Sequence, residues 1–195
     1  MAEQKTVKSK KDGALSPTAE GIAASAQAAQ AGKGLPPVHL WDPPFCGDLD
    51  MRIARDGTWF YQGTPIGRAP LVRLFSTILK LEDDKYFLVT PVEKVGITVE
   101  DAPFVAVDFN QRGADLVFET NVGDTVTAGP DNAIRMNFAA DGEPAPYIHV
   151  RSGLEALIDR KSFYRLVEIG THEGDMFGVR SGGIFFPFIE SAQMQ

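Results

Sequence analysis

Hydrophobic positions in this chain come in short runs broken by Gly, Pro, Asp and Asn, and their period changes twice along the sequence. From Trp41 onward, aromatic and β-branched residues alternate with polar ones, as half-buried strands joined by tight turns require. The pattern predicts strands near Met51–Ala54, Thr58–Tyr61, Tyr86–Thr90, Gly96–Val99, Phe104–Phe109 and Asp115–Glu119. Further strands are predicted near Ala133–Phe138, Tyr147–Val150, Ser162–Ile169, Met176–Arg180 and Ile184–Phe188. Asp56-Gly57 marks a hairpin, because glycine tolerates the positive φ such turns demand.

Two stretches break the alternation. Leu71, Val72, Leu74, Phe75, Ile78 and Leu79 form one apolar helical face, and Pro70 suits the first turn of that helix. A second, short helix is predicted to open at Ser152, with Glu155 three residues on as a capping box and Leu154, Leu157 and Ile158 buried. Placing Arg68 on Arg151 sets Leu71 on Leu154, Leu74 on Leu157 and Phe75 on Ile158, each preceded by an Asp-Gly turn at Asp56 or Asp141. This predicts one α+β unit used twice. The competing reading is that any two amphipathic helices share Leu-x-x-Leu, which leaves only the Arg and the Asp-Gly as surplus.

Residues 1–38 have no aromatic residue and end in a rigid Gly-Leu-Pro-Pro, so they read as a flexible tail or a docked helix with little to bury. The expected division is this tail, an N-terminal α+β domain over 39–93 and a C-terminal β-rich domain over 94–195. The 195 residues suffice for a substantial core. Net charge is −7, with +2 on the tail and −9 on the rest, which argues against duplex nucleic acid while permitting a small anion in a local pocket. The solitary Cys46, expected buried, excludes an intrachain disulfide, and His39, His149 and His172 lack metal-ligand spacing. Neither a signal peptide nor a membrane span is legible, so a cytoplasmic location is expected, without metal or cofactor.

Candidate chemistry is concentrated at two kinds of place. Arg68 and Arg151 precede the predicted helix starts, where backbone N–H groups and the helix dipole favour an anion, and Arg73 leaves the apolar face of its helix. Glu93, Lys94 and Asp101 lie in the crossover between the halves, and Arg180 and Ser181 lie in a Gly-rich segment. Trp59 and Tyr61 are available for stacking. Ordinary ion pairs and strand-end charges account for the same residues structurally. No Gly-x-Ser-x-Gly elbow, P-loop or His-Glu-x-x-His occurs, so an enzyme is the less favoured class.

The blocks "PPFCGDLDMRI", "DGTWFYQGTPIGR", "LVRLFSTIL", "YFLVTPVEKVGITVEDAPF" and "VRSGLEALIDRKSFYRLVE" resemble those of a proteobacterial group, domain-of-unknown-function family 1285, over about residues 41–189. The resemblance implies a cytoplasmic α+β protein with an internally duplicated core and a C-terminal half similar to pleckstrin-homology-like folds. It further implies a nucleotide-like ligand between the halves and a role in signal transduction. Together these readings predict a non-enzymatic sensor or adaptor for a small phosphate-bearing ligand. The alternatives are a protein–protein interaction module and an enzyme acting on a nucleotide.

Overall fold

The computed structural model describes residues 17–30, 34–139 and 142–193. Helix α1 (Ala19–Ala29) leads into the first sheet. There β1 (Phe45–Ile53), β2 (Trp59–Tyr61) and β3 (Thr64–Pro65) form an antiparallel meander, followed by helix α2 (Ala69–Thr77). A second meander, β4 (Leu79–Glu82), β5 (Lys85–Val89) and β6 (Lys94–Val99), brings β6 back beside β1 and parallel to it. The sheet order is therefore β3-β2-β1-β6-β5-β4.

The second sheet repeats this path. β7 (Phe104–Arg112), β8 (Asp115–Thr120) and β9 (Thr125–Thr127) run outward; β10 (Ile134–Phe138), β11 (Pro144–Arg151) and β12 (Leu154–Ile158) run back. β12 lies parallel to β7, as β6 does to β1. Helix α3 (Arg160–Glu168) and a three-stranded antiparallel sheet, β13 (Thr171–Glu173), β14 (Met176–Ser181) and β15 (Ile184–Glu190), complete the described chain. One hydrophobic core joins all three sheets: Ile53, Trp59, Phe75 and Leu88 meet Phe104, Phe118, Ile148 and Leu154, and these continue to Leu166, Phe177 and Phe188.

The duplication is thus real, but its register differs from the one the Arg68–Arg151 alignment predicts. The order of strands matches β5 with β11, so Arg151 corresponds to the end of β5, and a loop over 128–133 stands where the first unit has α2. The predicted helix at Ser152 is strand β12. Ser152 and Gly153 both have positive φ, 48° and 78°, and form the two-residue hairpin between β11 and β12. Leu154, Ala156 and Ile158 point inward at period two. The predicted strand at Ser162–Ile169 is helix α3, capped by Asp159, whose side chain accepts from Ser162 N at 2.7 Å.

Two further expectations change. The boundary between the units falls after β6, whose pairing with β1 and β5 completes the first sheet, so 94–99 belong to the first domain. Cys46 is exposed, because it lies in the outer part of β1, ahead of the stretch whose side chains reach the core. α1 is docked, burying Ile22 and Ala26 completely, while the basic residues 1–16 and the expected turn residue Asp141 lie outside the described residues.

Candidate functional site

The two units meet where the β1–β2 turn, α2 and the β8–β9 turn converge. Gly57 has φ +83°, and a Cβ there would sit 2.5 Å from Asn121 Nδ2, so glycine allows the two turns to approach this closely. Asn121 fastens them: its Nδ2 donates to Gly57 O at 3.3 Å and its Oδ1 accepts from Val105 N at 3.0 Å. Arg151 makes a second clasp, paired with Asp124, donating through Nη2 to Ser76 O at 2.9 Å and lying 4.9 Å from the Phe104 ring centre.

Between these fastenings is an interdomain cleft of about 700 Å³. Its apolar wall includes Ile66, Pro70, Val72 and Val122; its polar wall includes Asp56, Thr58, Asn121 and Arg73. Trp59 also lines it, 1 % exposed and stacked on Phe75 with ring centres 6.2 Å apart, and its buried indole N–H has no acceptor among the described residues. Asp56 accepts from Thr58 N at 2.9 Å, and these hydrogen bonds hold its carboxyl below the usual range, so it is ionised at neutral pH. Arg73 lies against the β8–β9 turn: a Cβ built on Gly123 would fall 3.1 Å from its Nη1.

Arg73 also borders a separate groove of about 350 Å³ between α1 and α2, lined by Gln27, Gln30, Arg68, Pro70, Leu71, Leu74 and Thr77. Arg68 is the exposed N-cap of α2, with no side-chain cap bond. Arg52, Arg55, Arg135, Arg151, Arg160, Arg165 and Arg180 are all paired with carboxylates. Arg68 and Arg73 have no carboxylate partner among the described residues, in a chain whose 26 acidic residues outnumber its 19 basic ones.

Apart from Arg68, Arg73 and the buried Trp59, the sequence-predicted residues do not line either hollow. Tyr61 packs partly buried on β2, with its hydroxyl accepting from Gln62 Nε2 at 3.4 Å. Trp59 is buried in the core, so its face is unavailable as a stacking platform. Glu93 accepts from Ser25 Oγ of α1 at 3.3 Å, and Lys94 pairs with Glu82 at 2.8 Å. The Glu82 carboxyl is held low by Lys80 and then Lys94, and Lys94 is raised by Glu82 in turn. Asp101 accepts from Tyr147 OH at 2.7 Å and lies 3.2 Å from Arg55 Nε. Arg180 pairs with Glu173 at 2.6 Å. Ser181 is completely buried, donating to Ala128 O at 2.7 Å and accepting from Leu116 N at 2.8 Å, which ties the third sheet to the second.

Sequence reasoning missed Asp56 as a cleft acceptor, Asn121 and Gly123 as the opposing wall, and Gln27 and Gln30 on α1. Asn-x-Gly at 121–123 was a legible turn signal, but its proximity to Gly57 depends on how the two units dock. Among the described residues no group of three or more His, Cys, Asp or Glu side chains is placed to hold a metal ion, and no helix is long and apolar enough to cross a membrane.

Fold and cleft together define a two-unit, β-rich protein of duplicated topology with a hollow at the junction. Profiles for the N-terminal and C-terminal domains of the DUF1285 family, a domain of unknown function, match residues 36–102 and 103–188. A crystallised DUF1285 family protein from Silicibacter pomeroyi DSS-3 is 61 % identical, with a TM-score of 0.82 over 89 % of this chain and 97 % of that one. Another, from Shewanella baltica OS155, is 33 % identical, with a TM-score of 0.51 over 62 % of this chain and 91 % of that one. The chain belongs to the DUF1285 family. A search of curated proteins found no match.

Proposed function

We propose that this protein is a non-enzymatic sensor or adaptor whose interdomain cleft takes a small phosphate-bearing, nucleotide-like ligand. The observation that carries this reading is Arg73, a guanidinium without a carboxylate partner among the described residues, on the wall of a cleft of about 700 Å³. A volume of that order suits a small ligand, and the lining supports one of mixed character. Arg73 donates a planar fork to phosphate oxygens, Asp56 accepts from hydroxyl or amine groups, and Ile66, Pro70 and Val72 cover an apolar or planar part. Arg151, committed to Asp124 and Ser76, shapes the cleft from outside its lining.

Calorimetry with a panel of nucleotides and phosphorylated metabolites tests this. A ligand bound by the parent is expected to weaken by about tenfold or more in Arg73→Ala, the loss of a charge-assisted hydrogen-bonding group. Full retention of affinity in that variant would remove the anion-binding role. A second reading, a protein-docking module, is favoured by Phe138, 46 % exposed on edge strand β10 beside an apolar groove of about 190 Å³ that includes Met136, Phe163 and Phe188. A partner that co-purifies with the parent and is lost in Phe138→Ser, with no ligand found by the calorimetry, would favour that reading.

A further inference from the structure

The groove between α1 and α2 differs chemically from the interdomain cleft. Among the described residues its lining contains Arg68 and Arg73 and no carboxylate, whereas the cleft includes Asp56. Seven of the other eight arginines of this acidic chain find Asp or Glu, Arg112 being the exception among the described residues. Two that lack such partners among the described residues and share one concavity create a local positive field, which binds an anion without requiring a basic molecule.

α1 supplies the groove's other wall. Ile22 and Ala26 are completely buried, and Ser25 donates to Glu93, so the helix is seated by both apolar and polar contacts. This seat brings the exposed Gln27 and Gln30 to the groove, adding side-chain amide donors beside the guanidiniums. Both glutamines precede the residues matched by the family's domain profiles. The volume of about 350 Å³ is half that of the cleft, suited to a compact polar group.

We infer that this groove is a second anion site, taking a phosphate or pyrophosphate group between Arg68 and Arg73, with Gln27 and Gln30 as further donors. An anion held there ties α1 to α2, because its contacts come from both helices. Arg73 borders both hollows, so binding in one influences the other through that side chain.

Pyrophosphate is the probe, titrated calorimetrically into the full-length parent, Arg68→Ala and the double variant Gln27→Ala/Gln30→Ala, with hydrogen exchange of α1 followed in parallel. All three substituted side chains are exposed, so the variants are expected to keep the fold, which circular dichroism verifies. Affinity should fall about tenfold or more in Arg68→Ala and by about threefold or more in the glutamine variant. Added pyrophosphate should slow exchange in α1. The inference is overturned if the parent binds no pyrophosphate at millimolar concentration, or if Arg68→Ala binds it as tightly as the parent. It is also overturned if neither the glutamine substitutions nor α1 exchange responds. Because Arg68 borders the groove and not the cleft, pyrophosphate binding unchanged by Arg68→Ala, together with nucleotide binding lost in Arg73→Ala, would sink this site while leaving the proposed function standing.

Discussion

Tyr147 shows at the scale of one residue how tertiary burial sets chemistry. It is 5 % exposed and donates to Asp101 at 2.7 Å; burial first, and that hydrogen bond second, push its phenol up to about 12. The folded protein therefore holds this proton more tightly than the unfolded chain, where the phenol titrates near pH 10. The resulting stability is fully present below about pH 10 and is lost as pH rises through about 12. Unfolding free energies from urea titrations at about pH 9.5 and 11.5 should fall more for the parent than for Tyr147→Phe, by roughly 1–2 kcal/mol. Equal slopes would show that this phenol is not responsible. Residue identity alone did not announce this role: tyrosine at an alternating position fits a strand whatever its hydroxyl meets. Trp59 and Ser181 teach the same lesson, since each read as a ligand contact and each is buried as part of the framework.

At the scale of elements, α1 stands apart from the sheets. It buries few side chains, and alanine-rich helices of 11 residues are marginal alone, so its order depends on the seat against α2. Ile22→Ala removes the largest buried contact of that seat. The expected result is a selective loss of amide protection in α1, with protection of β5, β6, β7 and β11 unchanged, as hydrogen exchange would register. A uniform loss across the sheets would instead make α1 part of the global folding unit. Helix α2 was legible because its apolar face recurs over two turns and proline marks its start. The exchange of strand and helix at 154–169 has a definite cause. Leu154, Leu157 and Ile158 fit a helical face, but Ser152-Gly153 adopts a hairpin turn that commits the next residues to pairing with β11. Asp159 then begins the helix, with Phe163, Leu166 and Val167 providing its apolar face.

The whole molecule is held as one body by a continuous core and by clasps at the junction, of which Arg151 is the most connected. Arg151→Ala removes its pairing with Asp124 and its bond to Ser76 O while leaving the core intact. It should lower stability by about 1.5–3 kcal/mol, the range for hydrogen bonds made by charged groups, and chemical denaturation should still show a single transition. Two separated transitions would mean that the units do not share a core in the cooperative sense. The sequence by itself determined the β-rich texture, α2 and most strand positions, because periodicity and turn residues act over a few neighbouring positions. Only the tertiary structure decided the register of the duplication and which arginines have no carboxylate partner among the described residues. Folding of the second unit brings Arg151 to Asp124, docking of the units brings it to Ser76 O, and among the described residues Arg68 and Arg73 are left facing open grooves, since ion pairing depends on distances across the fold that no local pattern encodes.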